Sequence, residues 1–207
     1  EHLRSHALRS AMVAPMGVDI DRFSEVSGEG EPRLVFIGRL AKKKGVDILL
    51  KALPSLPENL ELHVIGDGEE RKALENMGIR ARFVGALNHD EIIQFLRRTD
   101  IICLPFRDVG PLDSDGTPTV PLEMAAAGLA MVASDIEAID QTFSDDAVKK
   151  FKADDVNDLI EKLRSLISNS DRVEFQVSAA QKEVKRFHWA TVAETYADLL
   201  LNTSNYR

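Results

Sequence analysis

Two carboxylates eight residues apart, Asp115 and Glu123, frame the run Asp115-Gly116-Thr117-Pro118-Thr119-Val120-Pro121-Leu122-Glu123. A Gly-Thr-Pro turn running into the apolar stretch Leu122 to Ala127 leaves backbone N–H groups open at a helix start, where the helix dipole favours an anion. A carboxylate before the turn and another inside the helix can accept hydrogen bonds from the hydroxyls of a sugar or a ribose. An anion seat beside hydroxyl acceptors suits a phosphate joined to a sugar, as in a nucleotide sugar. Singly, Asp115 reads as a solvated turn residue and Glu123 as an acid favoured by the dipole. Their joint occurrence with Gly116 and Pro118 at a strand-to-helix crossing carries the reading. The two prolines, Pro118 and Pro121, place the helix start near Thr119.

A second cluster lies upstream, where Gly38-Arg39-Leu40 leads through three residues to Lys44-Gly45. A guanidinium can fork onto two phosphate oxygens while an ammonium acts as a point charge, and both stabilise negative charge growing on a leaving phosphate. Taken alone, Arg39 and Lys44 are equally well read as solvated loop cations. The turn Gly66-Asp67-Gly68 allows a ligand or another backbone to come close. It lacks the third glycine and the acid about 20 residues on that dinucleotide folds show, so NAD is not supported. Phe83-Val84-Gly85 could set backbone groups against a base or simply belong to the core. The five histidines are dispersed without metal-like spacing, so no metal is assigned. Neither a nucleophile elbow nor a P-loop pattern occurs.

The elements that must position these residues alternate from Arg33 onward. Short apolar runs at Leu34 to Ile37, Leu60 to Ile65, Arg82 to Val84, Ile101 to Leu104 and Met131 to Ala133 are separated by helical stretches near Val46 to Pro54, Glu69 to Met77, Asp90 to Arg97 and from Val120. Strands apolar throughout and joined by helices imply a parallel sheet covered on both faces, a Rossmann-like three-layer α/β domain. In such sheets ligands sit beyond the carboxyl ends of the strands, where the clusters above fall. Beyond Ser134 the sequence reads as helical, with a strong apolar period from Asp154 to Ile167 and a last helix from Trp189 to Leu201. The packing of that last helix is open between this domain and one not present.

Bulk properties narrow the class. The 207 residues carry a net charge of -8, which disfavours nucleic acid and anionic lipid as partners. The lysines at 42 to 44 and at 149, 150 and 152 are expected to be solvated faces. The lone Cys103 excludes an internal disulfide, and no apolar run approaches the roughly 20 residues of a membrane span. With no secretory pattern, a cytoplasmic location is expected. Opening at Glu1 in what reads as the middle of a helix, the sequence is expected to be a piece of a longer chain.

The chain resembles the C-terminal, donor-binding half of family 4 glycosyltransferases, which have the two-domain GT-B fold. Met16-Gly17-Val18-Asp19 to Phe23 is similar to an N-G-V-D-x-x-x-F interdomain linker, Gly38 to Gly45 to G-R-L-x-x-x-K-G, and Asp115 to Gly128 to the E-x7-E region. The resemblance implies that Arg39 and Lys44 hold the donor diphosphate and assist its departure, and that Glu123 binds the ribose. Asp115 would touch the transferred sugar, the amides of Gly116, Thr117, Pro118-Thr119 and Val120 would line sugar and phosphate, and Val84 would flank the base. Hexosyl transfer from a nucleotide-diphosphate sugar to a glycan or lipid-linked acceptor would follow, with retention of configuration and no metal or other cofactor. It also implies the end of an N-terminal domain and an interdomain linker over residues 1–27, a nucleotide-sugar-binding domain over 28–185 and a C-terminal helix over 186–207 that could pack toward the N-terminal domain. The acceptor-binding N-terminal domain would be the chief partner and the route to any contact with the inner face of a membrane. Without it, this piece should bind donor and not turn over. Three positions depart from the pattern: Asp115 stands for Glu, Met16 for the linker Asn, and Asp135-Ile136-Glu137-Ala138 for a Gly-Gly-x-Pro-Glu turn. A GT-B nucleotide-sugar epimerase and a non-catalytic nucleotide-binding relative are the alternative readings.

Overall fold

The computed structural model describes residues 16–28, 30–98, 100–107 and 119–202, with side chains through residue 198. Among them one parallel sheet has six strands: β1 (Arg33–Ile37), β2 (Glu61–Ile65), β3 (Arg82–Gly85), β4 (Ile101–Leu104), β5 (Ala130–Asp135) and β6 (Lys149–Lys152). The spatial order is β3-β2-β1-β4-β5-β6. Strand order runs outward from β1 to β3 on one side and from β4 to β6 on the other, so the crevice between β1 and β4 is the topological switch point. Residues of β1 and β4 are buried throughout, which is why they read as unbroken apolar runs.

The helices are α1 (Ile20–Phe23), α2 (Val46–Ala52), α3 (Arg71–Glu75), α4 (His89–Phe95), α5 (Thr119–Ala126), α6 (Glu137–Asp140), α7 (Val156–Ile167), α8 (Ser170–Val184) and α9 (Trp189–Asn202). They cover both faces of the sheet, α2 packing with α7 and α5 with α8. Their starts follow local chemistry. Asn88 and Glu91 form a reciprocal capping box at α4, and Asp155 accepts from the amides of Asn157 and Asp158 at α7. The Val18 amide donates to the Phe187 carbonyl at 2.8 Å, and Val192 in the first turn of α9 is buried, while residues 193–198 of that helix are exposed.

One element corrects the reading from sequence. Lys149 to Lys152 is a strand, not part of a helical region, and it pairs in parallel with β5 from Val132↔Lys149 to Asp135↔Lys152; of its lysines Lys152 is solvated as expected, whereas Lys149 and Lys150 are partly covered. An edge strand needs few apolar anchors, and lysines on it discourage pairing with other chains. Here Phe151 alone of the four is buried, so the strand shows no apolar period. Lys150 is largely covered, its ammonium 2.5 Å from Asp140 and 2.9 Å from Asp145. Burial opposes that charge, but the two carboxylates outweigh it and raise the lysine's pKa.

Candidate functional site

At the exit of β1 the backbone is stitched to the next loop. Gly38 donates to the Ile65 carbonyl at 3.0 Å and Leu40 to the Asp67 carbonyl at 2.9 Å. Gly66 has φ +132°, and a Cβ there would lie 1.9 Å from the Gly38 carbonyl oxygen. The close approach allowed by the Gly66-Asp67-Gly68 turn is therefore made by another backbone. Arg39 reaches outward, mostly exposed, and pairs with Glu69 at 3.1 Å.

Lys42–Lys44 form a single 3-10 turn closed by Gly45, whose φ of +65° is left-handed. A Cβ at Gly45 would sit 1.8 Å from the Pro105 carbonyl oxygen, so this turn lies directly on the exit of β4. The Lys44 ammonium stands 4.3 Å from the Phe106 ring centroid, a cation–π contact. Thus the β1 and β4 exits, 60 or more residues apart in sequence, meet at the switch point.

Glu123 sits on α5 with its side chain 13% exposed, and its Oε1 is 3.3 Å from His89 Nε2 at the start of α4. Burial raises the Glu123 pKa, opposed by the His89 ring and by the charge of Arg22. The exposed His89 ring also meets Phe23 edge-on at 5.9 Å, and Arg22 pairs with Asp90 at 2.7 Å. The site therefore joins α1, α4 and α5 around a carboxylate poorly solvated for its charge. Val84 is half-buried at the end of β3, and Thr119 and Val120 open α5. Asp115, Gly116, Thr117 and Pro118 lie outside the described residues.

Two residues went unassigned in the sequence. His89 could have been found from the Asn88 to Glu91 capping box, which puts a helix start on the same edge as the other loops. Arg107 had one signal, a charge three residues after the apolar strand β4; it pairs with Asp47 at 2.8 Å and Asp154 at 2.7 Å. Among the described residues no group of three or more His, Cys, Asp or Glu is arranged to hold a metal. Cys103 is buried, and burial pushes its thiol pKa up, leaving it inert.

A family model described as glycosyl transferases group 1 matches residues 18–183. The chain belongs to the group 1 glycosyl transferases. Among relatives of this group 1 chain, the phosphatidyl-myo-inositol mannosyltransferase of Mycolicibacterium smegmatis is 30% identical over 196 residues, covering 88% of this chain and 50% of that protein. The sulfoquinovosyl transferase of Arabidopsis thaliana is 30% identical over 170 residues, covering 79% and 32%. The group 1 chain thus spans half or less of the length of these relatives. Sucrose-phosphate synthase from Thermosynechococcus elongatus superposes with a TM-score of 0.81 at 18% identity, covering 100% of this chain and 56% of that one. Anabaena HepE in complex with UDP and glucose gives 0.78 at 19%, covering 91% and 56%. Both share the fold of this group 1 domain, the Rossmann-like half of a GT-B architecture.

Proposed function

We propose that this chain is the donor-binding half of a retaining glycosyltransferase that moves a hexosyl group from a nucleotide-diphosphate sugar to a lipid-linked or glycan acceptor. The observation that carries the reading is the meeting of the Lys42–Gly45 turn with the β4 exit at the switch point, beyond the carboxyl end of the strand that precedes α5 and its Glu123. Cations there suit a diphosphate, and a poorly solvated carboxylate that can accept from two hydroxyls suits a ribose. HepE was solved with UDP and glucose, and the named relatives transfer sugars to phosphatidyl-myo-inositol or transfer sulfoquinovose, which supports a nucleotide-sugar donor and a lipid acceptor.

In this reading Arg39 and Lys44 bind the diphosphate beside Gly38 and stabilise its departure, Glu123 holds the ribose, and Val84 flanks the base. Asp115 and the amides from Gly116 to Val120 line the transferred sugar, with Pro118 shaping their turn. No cofactor beyond the donor is required. Residues 1–27 would comprise the end of the other half and the linker, 28–185 the donor domain and 186–207 a C-terminal closing helix. The hydrogen bond from Val18 to Phe187 supports a shared route for linker and closing helix toward the other half. Acceptor binding and contact with the inner face of a membrane belong to that other half. Among the described residues no helix is long and apolar enough to cross a membrane.

The test is thermal unfolding of this chain with millimolar UDP-, GDP- and ADP-sugars. A donor at about 10 times its Kd should raise Tm by roughly 3 °C. No shift with any of the three would sink the donor-site reading.

A further inference from the structure

Arg107 joins three parts of the fold that are far apart in sequence. From its guanidinium, Nη1 donates to the Lys42 carbonyl at 2.7 Å, Nη2 to Asp47 Oδ2 at 2.9 Å, and Nε to Asp154 Oδ1 at 2.7 Å. Its backbone N–H donates to the Lys43 carbonyl at 2.8 Å. Asp47 lies in the first turn of α2, and Asp154 stands just before α7 in a left-handed conformation, φ +61°. One side chain therefore ties the turn between β1 and α2 to the β4 exit and to the connection between β6 and α7.

The turn it holds is short, closed by the Lys44 amide on the Ala41 carbonyl at 2.8 Å and the Gly45 amide on the Lys42 carbonyl at 3.2 Å. Three residues of 3-10 helix carry no side-chain cap, and the Gly45 end presses on the Pro105 carbonyl. A side chain that donates to Lys42 and a backbone that donates to Lys43 together decide where Lys44 begins. Arg107 is poorly suited to meet an anion itself. Its positive charge is matched by Asp47 and Asp154, with Lys51 also paired to Asp47 at 2.8 Å, so its fork is already occupied.

We propose that Arg107 is a positioning residue for diphosphate recognition: it fixes the Lys42–Gly45 turn on the β4 exit and so sets where the Lys44 ammonium meets the nucleotide. The inference rests on the reading that Lys44 contacts a diphosphate, and the test separates the two. UDP and GDP binding to this chain is measured by calorimetry for the unmodified chain, Lys44→Ala, Arg107→Gln, Asp154→Asn and the double variants with Lys44→Ala, with Tm recorded for each. Lys44→Ala is expected to weaken nucleotide binding about tenfold. Arg107→Gln should cost a similar factor, yet add nothing in the Lys44→Ala background, because its effect runs through the lysine. Asp154→Asn loosens the fork from its exposed side and guards against an unfolded Arg107 variant; it should cost roughly threefold, again only with Lys44 present.

A merely structural arginine would lower Tm and leave binding unchanged, or weaken binding by the same factor with and without Lys44. Either result overturns the inference while the Lys44 reading stands. Unchanged affinity in Lys44→Ala itself removes that reading, and the inference with it.

Discussion

Glu123 is an acid placed where its charge is poorly solvated, because burial raises its pKa and His89 only partly offsets the cost. A carboxyl group whose folded pKa lies above its unfolded value destabilises the fold when ionised. That cost is complete above the folded pKa and fades as pH falls through it toward the unfolded value. Glu123→Gln is therefore expected to raise Tm at neutral pH, with the gain shrinking on acidification, in thermal scans across pH. The same variant should weaken UDP or GDP binding about tenfold by calorimetry, since a ribose diol loses a charged acceptor. A lower Tm at neutral pH would contradict the burial argument, and unchanged affinity the proposed role. At this scale the type and spacing of Glu123, Arg39 and Lys44 were legible, because they are local to their loops. The partnership with His89 was not, since 34 residues separate the two and nothing local marks the pair.

Asp47 shows what the Lys42–Gly45 turn and α2 demand of each other. Burial would raise its pKa, but hydrogen bonds from Arg107 and Lys51 overcome that and lower it to about 2. A depressed carboxylate contributes stability above its unfolded pKa and loses it as pH falls through the folded value. The shift corresponds to roughly 2 kcal/mol. Asp47→Asn should therefore lower unfolding stability by about that amount at pH 7, with the difference fading between about pH 4 and pH 2 in urea titrations. Gly45 tests the same junction through the backbone. Gly45→Ala adds a Cβ 1.8 Å from the Pro105 carbonyl at a φ of +65°. It should cost about 3 kcal/mol by denaturant unfolding and weaken nucleotide binding as the β4 exit is displaced. Elements with a buried apolar run were readable in advance. The edge strand β6 was not, because Phe151 alone anchors it and Lys150 is satisfied by Asp140 and Asp145 from other segments.

For the molecule as a whole, the end of the sheet opposite the candidate site is closed by a buried ion pair. Arg33 forks onto Asp100 at 2.8 and 2.6 Å and donates to the Phe95 carbonyl at 2.8 Å, while Asp100 also accepts from the Arg97 amide at 2.9 Å. Removing one partner of such a pair leaves an uncompensated buried charge. Asp100→Ala is expected to lower global stability by about 3 to 5 kcal/mol in denaturant titrations. Its nucleotide affinity in the folded fraction should stay near that of the unmodified chain, because Asp100 lies at the amino end of the strands. Loss of affinity without loss of stability would contradict this division of the fold into a closed end and a binding end.

The residues alone determined the alternation of apolar strands and helices, the parallel α/β class and the loops in which recognition chemistry could lie. Those features arise within a few positions along the chain, from side-chain period, turn chemistry and helix starts. Only the tertiary structure decided that β1 and β4 are neighbours, that the Lys44 turn rests on Pro105 and Phe106, and that Glu123 faces His89. It also decided that Arg107 spans 60 residues to Asp47 and 47 to Asp154. Such contacts depend on strand order, which local pattern leaves open and which is settled by the joint burial of all the strands in one sheet.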